Sequence, residues 1–172
     1  MGTIFPGPIV LGMSWNQSLA TSVGSVIAKE ARAAGINRGL CPVLQVVTDC
    51  RFCRMPESFG EDPTHVSAMG SAVTLGLGGA WQAHDIIGSN CTAIRLGCFR
   101  HLLSSSCTGG GTGPSSYLSL DKLQTEAKHF AAYGCGGKDG SPCDVSERSL
   151  REIYLKPWAA FVKAGGRGVM AR

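Results

Sequence analysis

Apolar positions in this chain recur with the period of a helix in three stretches and run together like strands between them. Leu19, Val23, Val26, Ile27, Ala31 and Ala34 line one helical face. Asn16 before them is a good N-cap, because its short side chain accepts from a first-turn N–H. Gly35 after them suits a C′ residue. Together they predict a helix over 16–34. Val66, Met69, Val73 and Leu77 repeat at spacings of three and four. Asp62 stands as their N-cap, with Pro63 at the first helical position, where no N–H is needed. This predicts a helix over 63–77. A third helix is predicted over 145–164, opened by Asp144 with Glu147 as a capping box. Leu150, Ile153, Tyr154, Trp158, Phe161 and Val162 form its broad apolar face. Pro157 lies inside it and should bend it or break it in two. Gly165-Gly166 ends it.

Strand-like runs separate these helices. Residues 40–47 (LCPVLQVV) are largely apolar, as in a strand covered on both faces. Ala127 to Ala132 is a shorter run, and Gly168 to Ala171 a third. Strand and helix alternate, which predicts an α/β protein with a parallel sheet. Residues 80–113 depart from the pattern. They hold three cysteines and only Asp85, Arg95 and Arg100 as charges, with no capped start. Ala93 to Leu103 would make a poor helix, and Ser104 to Ser116 reads as a Ser/Gly-rich linker. Structureless loops beyond ~12–15 residues are uncommon inside compact domains. This stretch is therefore expected to be an insertion or a lid.

Composition narrows the class. The 172 residues suit one domain or part of a larger one. With 44% hydrophobic and 16% charged residues, disorder is not the expected state. No run approaches ~20 apolar residues, so no membrane span is expected. The net charge of +4 comes without a Lys/Arg cluster interleaved with aromatics, so no nucleic-acid partner is expected. Met1 to Pro6 lacks the basic and apolar regions of a signal peptide. Eight cysteines are many for this length. Cys50 and Cys53 form a CxxC, a spacing used for zinc and for redox chemistry. No second CxxC or HxxxH accompanies it, and Arg54, Pro56 and Gly60 after it read as loop. These thiols are expected to be incidental, with no metal bound. An even count permits disulfides, but the spacing does not suggest a compact disulfide scaffold.

Ligands of parallel α/β folds meet the loops at the C-terminal ends of strands. Two such places stand out. The loop Asp49 to Pro63 carries four acids and two arginines. Lys128-His129 closes a run otherwise made of Ala and Phe, where a cation is costly to bury without a partner or ligand.

Five motifs then occur in a telling order: Thr3 to Ile9 with Leu11 to Asn16, Glu30 to Ile36, the Asp49 to Pro63 loop, Lys128 to Gly134, and Val145 to Pro157. This text resembles family 3 glycoside hydrolases, the β-glucosidase and β-xylosidase group. Their sequences carry TxFPxPI, LGxxWN, DPRWGRxxESFGEDP, KHF and SERxLREIYLxPF. The resemblance covers roughly residues 2–79 and 114–172. It has no counterpart for 80–113, which then reads as a retained intron or an insertion. Cys50 and Cys53 stand where the family has Pro and Gly, so the CxxC looks like two substitutions.

The resemblance implies a partial (β/α)8 TIM barrel of about four βα units, a family 3 N-terminal domain over 1–172 interrupted by residues 80–113. It implies a retaining β-glycosidase that hydrolyses terminal β-linked sugars from oligo- or polysaccharides, with a carbohydrate as partner and no cofactor. Members are often secreted. By motif match, Arg54, Lys128 and His129 should bind the sugar's hydroxyls, each as an N–H donor. None of the twelve acids sits in the family's SDW nucleophile motif, so no catalytic residue is expected within the chain, which should be inactive alone. The alternative is a non-catalytic carbohydrate-binding or interaction protein built on the same barrel.

Overall fold

The computed structural model describes residues 2–79, 121–136 and 143–171. Its elements run α1 (Pro8–Met13), α2 (Gln17–Ala33), β1 (Arg38–Gly39), α3 (Pro63–Gly78), β2 (Gln124–Phe130), α4 (Glu147–Ser149), α5 (Lys156–Lys163) and β3 (Gly168–Ala171). The strands form a parallel sheet in the order β1-β2-β3. The class is thus α/β, with helices in the connections between parallel strands. Residues 80–113 and the linker-like tail after them lie outside the described residues.

Local chemistry sets the helix ends. The Asn16 side chain accepts from the Leu19 N–H at 2.9 Å, and that of Asp62 from the His65 N–H at 2.6 Å. At the far end of α2, Gly35 sits at φ 84°. The Gly35 and Ile36 N–H groups donate to Arg32 and Ala31 carbonyls, closing a Schellman turn. Gly165, at φ 87°, closes α5 the same way through the carbonyls of Val162 and Phe161.

The third predicted helix differs in two respects. Its cap is Ser146, whose Oγ accepts from the Ser149 N–H at 3.1 Å, and not Asp144. Both residue types cap well, and only the chain direction at 146 aims a side chain at the first turn. The helix also breaks in two around Pro157. A π-helical turn over Leu150–Tyr154 follows α4, and α5 restarts at Lys156 with Pro157 in its first turn. There the missing N–H costs nothing.

The buried face of α2 is not its large apolar residues. Ala20, Gly24 and Ala28 are buried, whereas Leu19, Val26 and Ile27 are exposed. The reason lies on α3. A Cβ added to Gly76 would sit 2.2 Å from the Thr21 carbonyl oxygen, and one on Gly24 3.0 Å from the Val73 carbonyl. The two backbones approach so closely that only small residues fit between them.

The core continues on the other side of α3. Leu44, Ala127, Trp158 and Phe161 pack together, placing α5 against β2 and the segment before the acidic loop. Residues 42–47 are buried, as a run covered on both faces should be. Regular pairing there is sparse, however: β1 ends at Gly39, and the next rung is a single bridge from Val43 to Lys128. An ion pair between Arg38 and the largely buried Glu126 ties β1 to β2. Cys135 and Cys143 form a disulfide with Cα atoms 5.8 Å apart, a pairing the spacing did not suggest.

Two outcomes follow for stability. Gly76→Ala forces α2 and α3 apart and lowers stability by ~1–3 kcal/mol, read as a lower urea midpoint at unchanged m-value. Ser146→Ala costs ~1 kcal/mol by the same measurement, while Asp144→Ala stays within ~0.5 kcal/mol.

Candidate functional site

β2 ends with Lys128, His129 and Phe130, and the residues after it turn sharply: Ala132 takes φ 59° before a 3-10 turn over Tyr133–Cys135. The Asp49 to Pro63 loop follows the buried 42–47 segment on the neighbouring side. Both lie at C-terminal strand ends, where a parallel sheet offers its binding surface.

Backbone pairing brings them into register. The Leu44 N–H donates to the Lys128 carbonyl at 3.0 Å, and the Lys128 N–H to the Pro42 carbonyl at 3.1 Å. One residue further on, a side chain takes over the ladder. The Gln45 amide satisfies its neighbours only with its oxygen turned toward His129, where it accepts from the His129 N–H at 2.8 Å and from Nδ1 at 2.7 Å while its nitrogen donates to the Lys128 carbonyl at 3.3 Å. The loop is tied to the same residue from behind. Ser58 Oγ donates to the Gln45 carbonyl at 2.5 Å, and the Val47 N–H to the Gly60 carbonyl at 3.2 Å.

All three sequence-predicted residues meet here. Arg54 Nη1 lies 3.3 Å from His129 Nε2, although 75 residues separate them in the chain. Lys128 adjoins His129 at half-burial, and its charge acts on both Glu57 and Cys41. Tyr133 stands edge-on to His129 with ring centroids 4.9 Å apart, and Arg54 lies over the Tyr133 ring at 5.8 Å. Phe52 packs edge-on against the other side of Tyr133 at 5.0 Å. Buried aromatic rings thus back Arg54, Lys128 and His129.

Two of the loop's four carboxylates, Glu57 and Asp49, each have their own arginine. Arg54 donates to both Glu57 oxygens, Nε to Oε1 at 2.8 Å and Nη2 to Oε2 at 2.7 Å. These bonds hold the Glu57 carboxyl below its ordinary value, with lesser pulls from Lys128 and His129. Asp49 accepts from the Arg51 N–H at 2.9 Å and from its guanidinium, which brings its carboxyl down to about 2. Burial pushes the Cys41 thiol up to about 11, against the pull of Lys128. Cys50 and Cys53 are free and exposed. Among the described residues no three His, Cys, Asp or Glu side chains converge as a metal site, and no helix is long and apolar enough to cross a membrane.

Gln45 and Tyr133 were not among the residues expected to matter. Gln45 had a visible signal, as the single polar residue of an otherwise apolar run. Tyr133 had none, because its place depends on the turn at Ala132.

Residues 1–172 match the glycosyl hydrolase family 3 N terminal domain. A β-xylosidase of Formosa agariphila is 33% identical over 169 residues, covering 96% of this chain and 19% of that protein. A periplasmic β-glucosidase of Salmonella typhimurium is 30% identical over 170 residues, covering 98% and 18%. A β-glucosidase from Listeria innocua, solved in complex with glucose, superposes with a TM-score of 0.75 at 29% identity, covering 99% of this chain and 20% of that one. The chain spans about a fifth of the length of the proteins it matches. It belongs to glycosyl hydrolase family 3, within the TIM-barrel-like α/β domain that opens that family's fold.

Proposed function

We propose that this chain is the sugar-binding part of a retaining β-glycosidase acting on terminal β-linked sugars of oligo- or polysaccharides. In this reading it supplies about four βα units of an eightfold barrel, with residues 80–113 an insertion. The observation that carries it is the convergence of Arg54, from the acidic loop, with Lys128 and His129 at the end of β2, far apart in sequence. Guanidinium and ammonium groups donate to hydroxyl oxygens, and the buried Tyr133 and Phe52 rings pack behind them. Similarity to β-glucosidases and β-xylosidases supports a β-linked sugar, glucose or xylose, as the class.

Hydrolysis with retention needs two carboxyl groups ~5–5.5 Å apart, one a nucleophile and one a proton donor with a raised pKa. Asp49 and Glu57 do not fit these roles. Both are ion-paired to arginine and held low, which favours a permanently ionised, structural carboxylate. The reacting carboxylates are therefore assigned to parts of the protein beyond these residues, and the 172-residue chain binds without turning over. The same ion pairing favours the second reading, a carbohydrate-binding protein on this barrel with no hydrolytic activity at all.

Titration of the 15N-labelled chain with glucose and with xylose should shift the signals of His129 and of Arg54 Nε. Lys128→Ala should weaken that binding by roughly 10–100-fold, the worth of a charged hydrogen bond. Purified chain should release no phenol from aryl β-glucosides or β-xylosides above a buffer blank. Turnover abolished by Asp49→Asn would place the chemistry in this chain and overturn the assignment.

The Asp49–Arg51 pair makes a separate pH-dependent outcome. A carboxyl lowered on folding from 3.8 to about 2 contributes stability that is complete above the unfolded value and is lost as pH falls through the folded one. Carboxyl 13C titration should give a midpoint near 2 for Asp49 in the folded chain. Arg51→Ala should return it toward 3.8.

A further inference from the structure

We propose that Gln45 is a positioning residue that sets the tautomer of His129, so that this imidazole faces the sugar as a hydrogen-bond acceptor and not as a donor. The part that concerns sugar rests on the glycosidase reading above. The tautomer itself does not.

One group beside Gln45 has no choice of hydrogen-bonding role. The backbone N–H of His129 can only donate, and it points at the Gln45 side-chain amide at 2.8 Å. The atom facing it must be the amide oxygen. His129 Nδ1 lies 2.7 Å from the same oxygen, so Nδ1 must carry a proton. The Gln45 nitrogen then falls 3.3 Å from the Lys128 carbonyl, an acceptor. All three contacts are satisfied in one orientation, and reversing the amide sets donor against donor at His129 and oxygen against oxygen at Lys128.

A second obligate donor reaches the other side of the ring. Arg54 Nη1 is 3.3 Å from His129 Nε2, and a guanidinium has no lone pair to offer. Nε2 must therefore accept. Gln45 at one ring nitrogen and Arg54 at the other independently demand the same neutral form, protonated at Nδ1. The arrangement is held rigidly. Gln45 is 3% exposed and His129 9%, and the Gln45 backbone is pinned by the buried Ser58. A buried primary amide is costly unless bonded, and here its bonds are spent on orienting one imidazole.

The consequence is a change of role. In the free chain Arg54 Nη1 occupies the single lone pair of Nε2. A sugar hydroxyl that binds takes over the guanidinium as its acceptor and, in Arg54's place, donates its own proton to Nε2. Only a group that is both acceptor and donor satisfies both. A fluorine or a methoxy oxygen at that position accepts from Arg54 but leaves Nε2 without a donor. The pair thus reads a free hydroxyl as such, and rejects a blocked or fluorinated one.

Two measurements test this. In the 15N-histidine-labelled chain at neutral pH, His129 should show a protonated, pyrrole-type Nδ1 and a pyridine-type Nε2. Gln45→Leu removes the acceptor at nearly constant volume and should move the ring toward the Nε2–H form. Gln45→Glu keeps two oxygens in place and should retain a protonated Nδ1. A pyridine-type Nδ1 in the unaltered chain overturns the assignment, and needs no variant to fold. Ring shifts unchanged in a folded Gln45→Leu chain overturn the role of Gln45. For the sugar, the monodeoxyfluoro and mono-O-methyl glucoses are compared with glucose by the same titration. One ring position should show about a tenfold loss with both substituents, and Gln45→Leu should reduce that discrimination while Gln45→Glu keeps it. Equal binding of all analogues overturns the acceptor role in recognition. A chain that binds no sugar overturns the glycosidase reading, and the ring shifts still decide the tautomer.

Discussion

A buried backbone must find partners for its N–H and carbonyl groups, and in this molecule the segment 42–47 is where that demand is hardest to meet. β2 satisfies it only as far as Leu44. Beyond that point the acidic loop has to fold back, with Ser58 Oγ donating to the Gln45 carbonyl and the Gly60 carbonyl accepting from Val47. That return brings Arg54 within reach of His129. The binding constellation is in this sense a by-product of satisfying six buried residues, since the same loop that completes the hydrogen bonding carries the guanidinium.

The helices keep this arrangement in place. α3 packs against α2 through backbone-close contact at Gly24 and Gly76, and α5 on its other side presses Trp158 and Phe161 onto Leu44 and Ala127. Leu44 and Ala127 are direct neighbours of Gln45 and Lys128, so the core ends one residue short of the polar cluster. Lys156 Nζ donates to Thr64 Oγ1 at 2.9 Å, which joins the start of α5 to the start of α3, near the loop's exit.

Features governed by neighbouring residues were legible in the sequence. Asn16, Asp62, Gly35 and Gly165 announce their roles because capping is decided within one turn of chain. The break at Pro157 is legible for the same reason. Features governed by distant partners were not. The apolar residues Leu19, Val26 and Ile27 suggested one buried face for α2, but α3 selects the small residues, and the distance of approach is set far along the chain at Gly76. Ser146 and Asp144 are equivalent as residue types, and only the path of the chain separates them. At the site, Arg54, Lys128 and His129 could be named from a resemblance of motifs, yet the direction of the His129 hydrogen bond could not. It depends on Gln45, which sits 84 residues away.

The junction between α3 and β2 has one more property. The Leu123 N–H donates to the Leu77 carbonyl at 2.9 Å, and Lys122 Nζ to the Gly76 carbonyl at 3.1 Å. The last turn of one element and the approach to the next are therefore clamped together independently of whatever chain connects them. Closing a loop between ends already held in contact grows only logarithmically in cost, by ~0.6 kcal/mol for each doubling of length. Chain can accumulate or disappear between these two points over evolutionary time while β2 keeps its register, and with it the spacing of Lys128 and His129 against Arg54.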